Sequence, residues 1–151
     1  MKQFTLSLKK NAQRPVAILN DFYDLEVMID TGALFPVWVE DETLLQELGG
    51  EVIAETVEFG GFGGKASGKL YKLSLLKVGS LTFPKFHIIA CRMELPCYMI
   101  MSATMFRHLI YEIDDCNYRF NVTVPDKESE IRNLVIWDSE GKLHVACNSA
   151  D

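Results

Sequence analysis

Val27-Met28-Ile29-Asp30-Thr31-Gly32-Ala33 decides the reading of this chain. Three consecutive apolar residues lead into an aspartate, which is followed by a hydroxyl, a glycine and a small residue. An apolar run closed by a turn signal reads as a strand. It delivers a carboxyl group to the strand's end. An Asp before Thr-Gly is also a common Asx-type turn, so the triplet alone carries little weight. Its meaning depends on what surrounds it.

On the N-terminal side, residues 4–8 alternate apolar and polar side chains, and residues 16–19 and 25–29 are rich in branched apolar ones. All three read as strands. The alternation at the start of the chain is that of a strand rather than a signal peptide, whose centre is continuously apolar. On the C-terminal side, Thr43 with Gln46 forms a capping-box pattern ahead of a short helix over 43–48, and Gly49-Gly50 stops it. Residues 51–59 alternate again. The stretch 60–68 then holds five glycines in nine residues, Gly60, Gly61, Gly63, Gly64 and Gly68, and is expected to form the mobile end of a hairpin. Strands are expected over 70–78, 83–91 and 97–101. A second helical segment is expected over 103–109. Asp114-Asp115-Cys116-Asn117 is a turn between strands 111–113 and 118–124, and Asp138 to Gly141 is the turn of a last hairpin, 134–137 with 143–147.

Here the chain resembles the retropepsin family, the homodimeric aspartic peptidases that include retroviral proteases and bacterial relatives. The likeness rests on D-T-G-A at Asp30–Ala33, on the glycine hairpin about thirty residues later, and on Met99-Ile100-Met101-Ser102-Ala103-Thr104-Met105-Phe106. The last stretch is similar to the family's second signature, an apolar strand, a glycine and a short helix. Residues 111–114 and 118–122 resemble the hairpin that follows in bacterial members. The likeness covers roughly residues 1–125, and one departure stands out: Ser102 occupies the place of the usual glycine. The resemblance implies an all-β fold, a closed barrel of the acid-protease type with one or two short helices. It divides the chain into a peptidase domain, 1–125, and a C-terminal hairpin extension packed on it, 126–151. It also implies a homodimer in which Asp30 of each chain supplies half of the active site.

The residue types make chemical sense in that setting. Two close carboxyl groups cannot both ionise, so they share a proton and serve as base and acid in one site. With a single D-T-G per chain, the second acid comes from a symmetry mate. Thr31 is expected to hydrogen-bond across the axis, and Gly32 lets the two backbones approach. Ala33, Gly61, Phe62, Gly63, Gly64, Ile100 and Ser102 are expected to line the substrate cleft. The glycine hairpin would close over an extended peptide held by main-chain hydrogen bonds. The function expected is therefore that of an aspartic endopeptidase. The alternative is a non-catalytic peptide-binding or assembly module on the same fold, motivated by Ser102 and the glycine-rich flap.

Composition sets the outer limits. The 151 residues are 48% hydrophobic and 24% charged, and they carry a net charge of -6. That is an ordinary globular balance with no basic surplus for neutralising phosphates, so no nucleic-acid partner is expected. No apolar run is long enough for a membrane helix, and no membrane partner is expected. Cys91, Cys97, Cys116 and Cys147 contain no C-x-x-C pair and have no histidine at zinc spacing. They read as reduced thiols of a cytoplasmic protein, and neither a metal nor a cofactor is expected. Gly63 to Leu70 nearly matches a phosphate-binding loop, but Leu70 stands where the hydroxyl belongs and a strand pattern follows instead of a helix. His87, His108 and His144 are scattered. Trp38 and Trp137 read as core or dimer-contact residues, and Arg107 and Arg119 as candidates for ion pairs between subunits.

Overall fold

A computed structural model describes residues 2–12, 14–19, 25–61, 64–79, 81–106 and 109–124, together with two strand segments, 135–137 and 143–145. The strands are β1 (Lys2–Leu8), β2 (Val16–Leu19), β3 (Leu25–Asp30), β4 (Val37–Trp38), β5 (Glu51–Gly61), β6 (Gly64–Val78), β7 (Leu81–Ala90), β8 (Met99–Ser102), β9 (Ile110–Asp114) and β10 (Arg119–Val124). Helix α1 (Glu42–Glu47) follows β4, and a 3-10 turn, Ala103–Phe106, follows β8. A separate antiparallel pair, β11 (Val135–Trp137) and β12 (Leu143–Val145), lies in the C-terminal region.

The first ten strands form one mixed sheet in the order β5-β6-β7-β4-β8-β3-β2-β1-β10-β9. Two of its pairings, β3 with β8 and β4 with β7, are parallel. The expected all-β character holds, but the sheet is not closed into a barrel. Its ends, β5 and β9, do not pair with each other. The composition of β5 accounts for this. Glu51, Glu55 and Glu58 are exposed along it, and charges on an edge oppose the addition of another strand.

β3 explains why its apolar run is unbroken. It lies between β2 and β8, with Val16 facing Met28 and Ile100 facing Met28 on the other side. Leu25, Val27 and Ile29 enter the main core with Trp38, Met99, Met101 and Phe120. Met28, on the opposite face, enters a smaller cluster with Val37, Val39, Cys97 and Ile100. Period-2 alternation therefore separates two apolar layers, and neither face is left to water.

Three local readings change in the folded chain. The described residues of the glycine stretch are paired strand. The β5–β6 ladder continues through Phe59–Ala66, Gly60–Lys65 and Gly61–Gly64, so β6 begins at Gly64 rather than at residue 70. Backbone groups pair without regard to side chains, and an intact partner strand carries the glycines along. Gly68 is required for closeness: a Cβ there would lie 2.4 Å from Ala90 O and 2.9 Å from Ile89 Cγ2. Helix α1 starts one residue before the range expected, and its cap is Asp41 rather than Thr43. The Asp41 carboxylate accepts the Thr43 N–H at 2.9 Å and also the Thr43 hydroxyl. Its stop is as expected: Gly49 N–H donates to Gln46 O and Gly50 N–H to Leu45 O, with Gly49 at φ 95°. The second helical segment is a single 3-10 turn.

His87, on β7 opposite Lys72 of β6, has a buried Nδ1 that meets no hydrogen-bond partner among the described residues. Burial first, and the Lys72 charge second, push its pKa below the ordinary 6.5. The unfolded chain then binds a proton that the folded chain resists, so stability falls as pH drops through the unfolded value. Thermal midpoints measured from about pH 7.5 down to about pH 5 should decline in the wild type, and His87→Gln should remove part of that slope. An equal slope in both proteins would reject the assignment.

Candidate functional site

The site is built where β3 and β8 run side by side. Their parallel register sets Met28 against Ile100 and Asp30 against Ser102. Met28, Asp30, Ile100 and Ser102 thus share the face turned away from the main core. Asp30 is the last residue of β3 and is half-buried, at the border of the smaller apolar cluster. Gly32 N–H donates to Asp30 Oδ1 at 3.0 Å, and Ala33 N–H donates to Asp30 O at 3.2 Å. These bonds fold the chain back over the carboxylate and fix its orientation. A Cβ at Gly32 would stand 3.4 Å from Oδ1, an ordinary contact. In the isolated chain, then, Gly32 is not needed for space.

Thr31 is exposed, and Leu34, three residues on, is 63% exposed. Ala33 and Phe59 pack against the smaller cluster, and Phe35 meets Phe59 edge to face at 6.2 Å between ring centroids. The turn after Asp30 is thereby tied to β5, on the hairpin whose far end carries the glycines. Gly61 and Gly64 close that ladder, while Phe62 and Gly63 lie outside the described residues. The structure brings Asp30, Ala33, Ile100 and Ser102 together. It places Gly61 and Gly64 at the far end of the hairpin. Ile100, 8% exposed, contributes to the wall through its packing.

Ser102 is wholly buried and fits without an orphaned hydroxyl. Its Oγ lies 2.7 Å from Thr104 Oγ1, and Thr104 Oγ1 donates to Leu34 O at 2.8 Å. The serine hydroxyl is therefore part of a short relay that ends on the turn carrying Asp30 and Thr31. Sequence reading missed Thr104. The usable signal was a pair of hydroxyls two residues apart in an otherwise apolar run, because buried hydroxyls need partners. Thr104→Val should cost about 1–3 kcal/mol, since it strips a partner from both Leu34 O and Ser102 Oγ, and Thr104→Ser should recover most of the loss. Chemical denaturation of the three proteins measures this. Equal stability of wild type and Thr104→Val would show that the relay holds nothing.

The other titratable groups lie elsewhere. Tyr71 OH donates to Glu42 Oε1 at 2.5 Å and accepts from Gln46, which joins α1 to β6. Burial, with the Glu42 contact second, raises the Tyr71 pKa. Cys91, Cys97 and Cys116 form no disulfide, and burial raises the pKa of Cys91 and Cys97. Trp38 is a core residue, with its Nε1–H donating to Asp41 O at 2.9 Å. Arg119 is exposed, and Arg107, His108 and Trp137 have no described side chain. Among the described residues, no three His, Cys, Asp or Glu side chains are grouped so as to hold a metal ion, and no helix is long and apolar enough to cross a membrane.

No family model matches the chain, and no curated protein matches it.

Proposed function

We propose that the protein is an aspartic endopeptidase that works as a homodimer, with Asp30 of each chain forming a proton-sharing pair. The observation that supports this most is the Asp30 end of β3. A half-buried carboxylate is held by its own turn, on an apolar face, next to exposed Thr31 and Leu34 through which a second copy can approach. Among the described residues, the Gly32 N–H is the only hydrogen-bond donor to this carboxylate, and it binds Oδ1.

In the pair, the ionised carboxylate takes a proton from a water whose oxygen attacks the peptide carbonyl carbon. The protonated partner gives its proton to the carbonyl oxygen. Collapse of the resulting diol breaks the C–N bond, and the departing nitrogen receives a proton from the pair. The β5–β6 hairpin, tied to the Asp30 turn through Phe35 and Phe59, would cover an extended peptide and exclude bulk water. Ser102 stands where the resembled family has glycine. Its hydroxyl is satisfied inside the chain by Thr104.

The test pairs a solution mass with a digest. The protein should sediment at twice the mass of one chain and should cut internal bonds in a mixture of unstructured peptides, with inhibition by a hydroxyl-containing transition-state mimic as a further check. A strictly monomeric protein that leaves every peptide intact would overturn the reading.

A further inference from the structure

We propose that Thr104 is a positioning residue for catalysis: it pins the far end of the turn that carries Asp30, and so sets where that carboxyl meets its counterpart. The inference rests on the peptidase reading for the reaction it serves, while the order that Thr104 imposes on the turn is measurable without turnover.

Proton counting fixes the direction of the hydroxyl chain. Leu34 O is a carbonyl oxygen and can only accept, so its 2.8 Å contact takes the single hydroxyl proton of Thr104. The 2.7 Å contact between Thr104 Oγ1 and Ser102 Oγ is then carried by the serine proton. The order is Ser102 O–H to Thr104 O–H to Leu34 C=O, and each bond polarises the next. Ser102 is wholly buried and Thr104 nearly so, which keeps water from competing for either hydroxyl.

This chain closes a loop. Asp30 is the register partner of Ser102 at the end of the β3–β8 ladder. At Leu34 the backbone returns to the same short segment, through the bond to Thr104. Between the two anchors Thr31 and Gly32 are exposed, as is Leu34, so burial does little to hold them. The Gly32 N–H bond to Asp30 Oδ1 and the Ala33 N–H bond to Asp30 O both lie inside the turn. They shape it without fixing it against the sheet. The Thr104 bond does fix it, because its donor sits on the 3-10 turn whose Met105 and Phe106 are part of the main core. In a symmetric dimer any displacement of the turn occurs in both halves. The two carboxyl groups must meet within one hydrogen bond, and a misplacement of about 1 Å can cost about a hundredfold in rate.

The experiment compares wild type with Thr104→Val, Thr104→Ser and Val78→Ala at a temperature where all are folded. Thr104→Val keeps the shape of the side chain and removes both hydrogen bonds. Val78, fully buried at the end of β6 opposite Gly64, controls for lost stability alone. On one peptide from the digest, Thr104→Val should lower kcat by about tenfold to a hundredfold and leave KM within about twofold. Thr104→Ser should restore kcat, and Val78→Ala should keep it. The second readout is the backbone order parameter from nuclear magnetic relaxation. For Gly32 and Ala33 it should be about 0.85 in wild type and Thr104→Ser and below about 0.6 in Thr104→Val, with Val27 and Ile29 unchanged throughout. Equal order of the turn in wild type and Thr104→Val, a loss confined to KM, or a kcat loss that Val78→Ala reproduces would each overturn the proposal. The two readings fail separately. A wild type that cuts nothing, with a turn that still loosens in Thr104→Val, sinks the peptidase and leaves Thr104 as the residue that orders the Asp30 turn. Asp30-dependent cleavage that Thr104→Val leaves untouched does the reverse.

Discussion

Asp30→Asn should lower peptide hydrolysis by about a thousandfold or more while leaving the fold and the dimer mass unchanged. The size of the effect follows from the work assigned to the carboxyl pair. An amide side chain neither accepts a proton from water nor donates one to a carbonyl oxygen at neutral pH. In the proposed dimer both copies carry the change, so the base and the acid are lost together. Stability should hardly move, since the Asn side-chain oxygen can still accept the Gly32 N–H that Asp30 Oδ1 accepts at 3.0 Å. A digest of identical peptides by both proteins, with sedimentation of each, is the measurement. Activity within tenfold of wild type would place the chemistry elsewhere, and loss of activity accompanied by a collapsed dimer would point to a structural role for the aspartate.

Trp38→Ala should be the most destabilising single change among these, at about 3–5 kcal/mol, the usual range for truncating a buried large aromatic. Trp38 is 1% exposed, and its ring packs against Tyr98 at 5.9 Å between centroids. Its indole N–H is also the partner of Asp41 O, at the residue that caps α1. The strand it belongs to is only two residues long, yet it joins β7 on one side and β8 on the other. A void at Trp38 therefore loosens the link between the hairpin half of the sheet and the β3–β8 pair that holds Asp30. In a domain of this size the thermal midpoint should fall by about 10 °C. Calorimetry or denaturant unfolding decides it: a loss below about 1 kcal/mol would mean that the centre of the sheet does not depend on this residue.

Local signals were legible where one short segment carries its own instructions. The apolar run of β3, the branched residues of β2, the Gly49-Gly50 helix stop and the Asp114 turn each appear where the sequence predicts. Asp114 Oδ1 accepts the N–H groups of Cys116 and Asn117 at 3.1 Å, as an Asx-type turn should. Each feature depends on backbone preferences or on side-chain contacts only a few residues long. The Asp41 cap was missed because Asp41 and Thr43 are both good caps, and only the direction of the chain leaving Trp38 chooses between them.

By itself, then, the amino-acid order determined the β character of the chain, the apolar strand leading to Asp30, and the candidate acid at its end. Tertiary structure alone decided the pairing of Asp30 with Ser102, the Ser102–Thr104–Leu34 relay, the continuation of the β5–β6 ladder through Gly60, Gly61 and Gly64, and the open edges of the sheet. The first two of those features join residues 70 or more positions apart, Asp30 with Ser102 and Leu34 with Thr104. Periodicity reports which face of a strand is apolar, but not which strand lies beside it. That choice is made by packing summed over the whole sheet, and it is what gathers scattered residues into a site.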